Sequence, residues 1–134
     1  MMIETSAVLA VLLNEPERVA ILDAIEAAAK PFTTAVVVAD VAMALAKRTG
    51  IAPSEALDAI QTFLDEAAIS TVAFVPAMIE RAIDRSEKFG KERHPAALNV
   101  GDCLSYGAAR YYRSMLLFKG DGFAQTDVNE AVRR

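Results

Sequence analysis

Apolar residues follow two different spacings along this chain. Short, mostly apolar runs, which are typical of buried strands, occupy residues 1–5, 31–35, 69–75 and 115–119. Longer segments carry apolar residues three or four positions apart, which predicts amphipathic helices at residues 6–13, 14–30, 36–49, 52–68, 76–90 and 101–114. The segment from 36 to 49 begins with valines that also suit a strand, but its remainder favours a helix.

Special residues mark where several of these elements begin and end. Ser6 is a candidate N-cap for the first helix. Pro16 and Pro76 occupy first-turn positions of later helices, where a missing backbone N–H costs nothing. Gly50 and Gly90 follow the last helical residues of two segments and suit left-handed C-terminal positions.

The alternation of strands and helices predicts an α/β fold. Right-handed crossovers then give a central parallel sheet of four to five short strands with helices on both faces. A length of 134 residues without a linker or repeat favours one domain over residues 1–134. Ligands bind such sheets at the carboxyl ends of the strands.

The composition is unusually apolar for a small protein. Hydrophobic residues make up 54% of the chain, and the mean hydropathy is +0.27. Tight helix packing together with a protein–protein interface, such as that of a homodimer, explains the excess. An alanine-rich monomer is the alternative explanation.

Charge and cysteine usage exclude several classes of protein. No apolar run reaches about 18 residues, so no membrane span is expected. Glu4 stands where a secretory signal would carry basic residues, and Cys103 is the single cysteine, so we expect a reducing cytoplasmic location. The net charge of −4 argues against bulk attraction to nucleic acid, but it leaves room for a local basic patch.

Four acidic residues lie close to the ends of predicted strands. Glu4 ends the first strand, Asp102 begins a late helix, and Asp121 follows the last strand. Asp40 lies in the first turns of the helix after the second strand, among apolar neighbours. Because strand ends of a parallel sheet share one edge, we expect these carboxylates to converge.

Converging carboxylates point to a divalent cation, because like charges raise one another's pKa. Oxygen ligands suit Mg²⁺ or Mn²⁺, whereas one cysteine and one histidine are too few for the usual zinc set. A carboxylate-held Mg²⁺ activates water and stabilises charge on a phosphoryl group. The sequence therefore predicts phosphodiester hydrolysis.

Each acid alone also has a structural explanation. Asp102 suits a helix cap, and Glu4 suits a solvated strand end. Asp40 suits an ion pair with a basic residue two turns later, and Asp121 suits a turn. The metal-site interpretation rests on the four acids taken together.

Four blocks of sequence carry a family resemblance. They are MMIETSAVLAVLLNEPE, TTAVVVADVAMAL, FGKERHPAALNVGDCLSYGAA and LLFKGDGFAQTDV. In this order they resemble the acidic motifs of PIN-domain ribonucleases, specifically the VapC-type toxins of prokaryotic toxin–antitoxin modules. The resemblance covers nearly the whole chain, and its third block is the most specific.

The resemblance implies a three-layer PIN-like fold and a Mg²⁺- or Mn²⁺-dependent endoribonuclease. It implies that Glu4 and Asp102 bind the metal directly and that Asp40 and Asp121 complete the acidic pocket, partly through water. It also implies an RNA substrate and inhibition by a cognate VapB-like antitoxin. The residues expected to support the site are Thr5, Ser6 and Asp127.

The chain departs from the family pattern at two of the acids. The first acid is usually Asp and the second usually Glu, whereas here they are Glu4 and Asp40. We hypothesise that one longer and one shorter side chain compensate, moving the metal toward the Asp40 helix. Gly122 stands where the family often has an acid, so Asp121 or Asp127 is the candidate for the fourth position.

A basic stretch precedes the third block directly. Lys88, Lys91 and Arg93 are candidates to bind RNA phosphates beside Asp102. Acidic residues are interleaved with them, so a solvated helix face is the alternative.

Two other functions fit parts of the sequence. The first is a catalytically weakened PIN-fold protein that binds an antitoxin or RNA without efficient cleavage. The second is a receiver-like signalling domain, which would need a phosphoacceptor Asp after a central strand. Residues 69–78 contain no such Asp, and no glycine-rich nucleotide loop follows the first strand.

Overall fold

The computed structural model describes residues 1–89 and 99–120. The described strands are β1 (Met2–Ile3), β2 (Phe32–Thr34), β3 (Ser70–Val72) and β4 (Leu116–Leu117). The described helices are α1 (Thr5–Leu12), α2 (Arg18–Ala27), α3 (Ala35–Thr49), α4 (Pro53–Glu66), α5 (Pro76–Phe89) and α6 (Val100–Tyr111).

The four described strands form one parallel sheet in the order β3-β2-β1-β4. Met2 lies opposite Phe32 on one side and Leu116 on the other. This confirms the predicted parallel sheet. Strand β1 is central because β2 pairs with one of its edges and β4 pairs with the other. The carboxyl ends of β1, β2 and β4 therefore meet at one edge.

Several predicted boundaries were wrong by a few residues. Glu4, not Ser6, is the N-cap of α1, because the Glu4 carboxylate accepts the backbone N–H of Ser6 at 2.7 Å. Helix α2 begins at Arg18, so Pro16 lies in the preceding turn and not in the first helical turn. The strands have two or three residues each and are shorter than the apolar runs that predicted them.

The sheet is buried between helices. Met2, Ile3, Leu116 and Leu117 are fully buried, so both faces of the two neighbouring strands are covered. Such continuous apolar strands are typical of parallel sheets with helices on both faces. These short, buried strands therefore hold in place the residues that directly follow them.

Helices α5 and α6 pack unusually closely and run in opposite directions. Met78 and Ala82 of α5 contact Gly107 of α6, whereas Ser86 contacts Cys103 nearer the start of α6. A Cβ on Gly107 would lie 2.4 Å from the carbonyl oxygen of Met78, so only glycine fits there. This packing brings the end of α5 beside the beginning of α6.

In residues 1–89 and 99–120, no helix is long and apolar enough to cross a membrane.

Candidate functional site

Glu4 is a buried acid at the carboxyl end of β1. Only 4% of the residue is exposed, and burial raises the pKa of its carboxyl group to about 7. Hydrogen bonds from Ser6 lower that pKa, while the negative charge of Asp102 raises it. The chain therefore places an acid in surroundings that favour its neutral form.

Ser6 connects Glu4 to the neighbouring strand. Its hydroxyl donates to Glu4 Oε2 and accepts the backbone N–H of Lys119 at 2.7 Å. Because Lys119 follows β4, this hydroxyl joins the ends of β1 and β4. The predicted supporting residue Ser6 thus contacts the predicted ligand Glu4, and the backbone of Thr5 also hydrogen-bonds to the Glu4 carboxylate.

Asp102 lies in the first turn of α6 and takes part in a capping box. Its Oδ2 accepts the backbone N–H of Asn99 at 3.0 Å, and Asn99 Oδ1 accepts the N–H of Asp102 at 2.9 Å. The cap anticipated from the sequence is therefore real. Burial is the main cause of the raised pKa of Asp102, and the charge of Asp40 adds to it.

Asp40 is exposed on α3, and its pKa is raised by partial burial of the carboxyl group. It lies against the start of α6, because a Cβ on Gly101 would be 2.8 Å from Asp40 Oδ2. Gly101 thus leaves the space that the Asp40 carboxylate occupies. The glycine before Asp102 was visible in the sequence, but its role became apparent only from this contact.

The three acids influence one another in a row. Asp102 raises the pKa of Glu4, and Asp40 raises the pKa of Asp102. Within the described residues, however, no three His, Cys, Asp or Glu side chains are grouped closely enough to hold a metal ion alone. The arrangement supplies mutually repelling oxygen donors, which a divalent cation would stabilise.

Several predicted residues lie outside the described parts of the chain. These are Asp121 and Asp127, the candidates for the fourth acid, and Lys91 and Arg93, the candidates for RNA binding. Lys88 is described and exposed in the last turn of α5. Because α5 runs antiparallel to α6, Lys88 lies at the same end of this helix pair as Asp102.

An ion-pair cluster that the sequence reasoning missed lies beside Ser6. Lys119 Nζ is 2.9 Å from Glu15 Oε2 and 3.4 Å from Glu17 Oε2. Glu17 Oε2 is buried and has no hydrogen-bond partner among the described residues, so the Lys119 ammonium group is its electrostatic partner. The Glu-Pro-Glu sequence was the available signal, and its two carboxylates tie the turn before α2 to the end of β4.

The chain is similar to a known family over nearly its whole length. The PIN-domain family model matches residues 1–129. The chain belongs to the PIN-domain family. Its PIN domain is of the VapC type, with 35% identity over 128 residues to Ribonuclease VapC30 of Mycobacterium tuberculosis, covering 96% of this chain and 95% of that protein. Ribonuclease VapC of Mycolicibacterium smegmatis is 34% identical over 129 residues, which is 96% of this chain and 97% of that one.

A solved structure supports the same fold. The crystal structure of Mycobacterium tuberculosis VapC20, described as a sarcin-ricin loop cleaving toxin, matches this PIN domain with a TM-score of 0.75. The match covers 96% of each chain at 14% sequence identity. At that identity the likeness shows the fold alone.

Proposed function

We propose that this PIN domain is a metal-dependent endoribonuclease toxin that hydrolyses RNA phosphodiester bonds. The observation that carries the proposal is the row formed by Glu4, Asp102 and Asp40, each with a raised pKa, at the edge where parallel strands end. The name ribonuclease for full-length VapC relatives supports the same activity. We further propose that residues 1–134 act as a single cytoplasmic domain.

The donor chemistry fits Mg²⁺ or Mn²⁺. Mg²⁺ is commonly held by one or two carboxylates plus water, so Glu4 and Asp102 would suffice as direct ligands, with Asp40 acting through water. Asp121 or Asp127 would supply a fourth acid. When bound, the cation supplies an activated water and stabilises negative charge on the phosphoryl group.

The residues around the acids hold them in place before any cation binds. Ser6 fixes Glu4 through its hydroxyl and backbone N–H, and the capping box fixes Asp102 through Asn99. Burial of Glu4 excludes water from one side of the site. These contacts keep two oxygen donors oriented, which lowers the ordering cost of binding a charged ligand.

RNA needs cations beside an acidic site. We propose that Lys88, together with Lys91 and Arg93, binds phosphates near Asp102. The exposed position of Lys88 and the antiparallel packing of α5 on α6 support this role. These contacts would orient the RNA without reading its bases.

We also propose a homodimer and a VapB-like antitoxin partner. Ile79 and Ile83 lie one turn apart on α5 and are 47% and 59% exposed. Two large aliphatic side chains on one helix face favour a protein contact. In this proposal the α5 face contacts a second copy of the chain, and the antitoxin covers the acidic edge.

Cleavage of a mixed RNA pool tests the enzyme. Purified antitoxin-free protein is assayed with Mg²⁺, Mn²⁺ or EDTA, beside Asp102→Asn and the control Asp58→Asn, which removes an exposed acid of α4. We expect metal-dependent cleavage that Asp102→Asn lowers by at least about 100-fold and that Asp58→Asn retains. Equal cleavage by all three proteins, or cleavage that survives EDTA, would contradict the proposal.

A catalytically weakened binding protein is the second candidate. Three departures from the family pattern favour it: Glu4 in place of the usual Asp, Asp40 in place of the usual Glu, and Gly122 where the family often has an acid. This candidate is supported if the wild type cleaves no RNA in either metal while Asp102→Asn weakens RNA or metal binding.

A further inference from the structure

An open cavity lies far from the acids, at the amino ends of the strands. Its volume is about 1040 Å³. Met1, Phe32, Ser70 and Met115, which begin or precede the four strands, all line it. Because Glu4 follows the carboxyl end of β1, this strand-start cavity opens at the opposite end of the sheet.

The walls of the strand-start cavity are largely apolar. Ala24, Ala27 and Ala28 of the α2 end form one wall. Tyr112 and Met115 form another and are 44% and 43% exposed. The Tyr112 ring meets the Phe32 ring edge-on at 4.9 Å between centroids, which holds the aromatic wall in place.

The charges at this cavity have one sign. Lys30 and Arg113 line it, and no described lining residue carries a carboxylate. Neither side chain forms an ion pair with a carboxylate of the described residues. Among the described residues, this apolar cavity thus carries two cations without a carboxylate partner, although the net charge of the chain is −4.

Arg113 occupies a backbone position that does not suit it. Its φ angle is 51°, in the left-handed region that favours glycine or asparagine after a helix. The end of α6 is already satisfied by backbone bonds, since Ser114 N–H donates to Ala109 O at 2.8 Å. Arg110 already places a cation in the last helical turn. Neither the hydrogen bonding of the helix end nor its dipole therefore explains why residue 113 is an arginine.

We propose that the strand-start cavity binds a small amphipathic anion. Its apolar body would lie against the alanines, Tyr112 and Met115, and Lys30 and Arg113 would attract its anionic head group. A cavity of this size and apolar character, with few polar groups, is typical of small-molecule sites. The proposal is independent of the nuclease activity at the other edge.

Two macromolecular ligands fit this cavity less well. RNA carries one phosphate per nucleotide, and two cations neutralise few of them, while the only side-chain hydroxyl groups that the lining offers to base edges are those of Ser70, Tyr112 and Ser114. An added peptide strand would pair along the free edge of β3, but Ser70 and Val72 are the only residues of β3 that line this cavity.

Methionine methyl NMR of the full chain, without residues added before Met1, tests the proposal. Decanoate and decylamine, both below their micelle concentrations, are the matched probes. We expect decanoate to shift the methyl signals of Met1 and Met115 but not that of Met43, which is exposed on α3. Decylamine should bind at least about tenfold more weakly because its charge is repelled.

Two variants test whether Lys30 and Arg113 attract the anionic head group. Lys30→Gln combined with Arg113→Gln should weaken decanoate binding at least about tenfold, whereas the control Arg48→Gln on α3 should not. Arg113→Gly should also weaken binding while folding normally, because glycine suits the left-handed backbone. Equal binding of both probes, an equal shift of Met43, or displacement of decanoate by a short RNA would overturn the proposal.

Discussion

At the scale of single residues, Glu4 is an acid for which the folded protein favours protonation. Its folded-state pKa of about 7 exceeds the ordinary value of 4.5, mainly because the carboxyl group is buried. The folded state therefore binds a proton more tightly than the unfolded state. Stability from this residue is fully present below pH 4.5 and is lost as the pH rises through 7.

We expect the metal-free protein to lose free energy of unfolding, up to about 3 kcal/mol, between roughly pH 5 and pH 8. Glu4→Gln should flatten this pH dependence, whereas Glu55→Gln on the exposed face of α4 should keep it. Urea unfolding at several pH values measures the effect. A slope in Glu4→Gln that equals the wild-type slope would show that other groups cause it.

The unusual lengths of Glu4 and Asp40 lead to a second prediction at this scale. Glu4→Asp withdraws the carboxylate from Ser6 by one methylene, and Asp40→Glu extends the other acid toward Gly101. Each single change should lower RNA cleavage by about tenfold or more, and the double change should recover most of it. Cleavage rates of the four proteins form a double-mutant cycle, and additive losses would contradict compensation.

At the scale of elements, close packing of α5 on α6 depends on Gly107. A Cβ there would meet the Met78 carbonyl oxygen at 2.4 Å and the Ala82 Cβ at 3.1 Å. Gly107→Ala should therefore lower the free energy of unfolding by about 1–3 kcal/mol, because backbone atoms must separate. Denaturant unfolding measures this loss.

Gly101→Ala is the matched control in the same helix. Its new Cβ would lie 2.8 Å from Asp40 Oδ2 and 3.4 Å from Asn99 Oδ1, both of which are side-chain atoms and not backbone. Alanine favours the helix by up to about 1 kcal/mol. We expect unchanged or increased stability but reduced RNA cleavage, since Asp40 is displaced. If Gly107→Ala and Gly101→Ala lower the free energy of unfolding equally, close packing of α5 on α6 is not the reason for a glycine at position 107.

The sequence predicted elements better than it predicted their ends. Apolar spacing located both ends of α3 and α4 and the start of α5 within one or two residues, because buried faces repeat regularly along a helix. The start of α1 was wrong because Ser6 and Glu4 can both cap a helix, and tertiary burial decided between them. Glu4 and Asp102 were predicted as neighbours from strand ends, but the close fit of Asp40 against Gly101 depends on helix packing that spacing does not reveal.

At the scale of the whole molecule, the proposed dimer depends on an exposed apolar face of α5. Ile83→Lys places a charge on that face and should convert the protein to monomers. Val19→Lys is the control, because Val19 is 66% exposed on another helix, α2. Light scattering with size-exclusion chromatography measures the mass, and a dimer that survives Ile83→Lys would place the interface elsewhere.

The central position of β1 has a consequence for synthesis on the ribosome. Strand β1 is made first, yet its partner β4 and the Lys119 N–H that binds Ser6 are made more than 100 residues later. Until residues 116–119 emerge, one edge of β1 is open and Glu4 lacks its final surroundings. A nascent or prematurely terminated chain would thus hold no finished acidic edge, so translation itself delays the activity of a protein that could cut RNA.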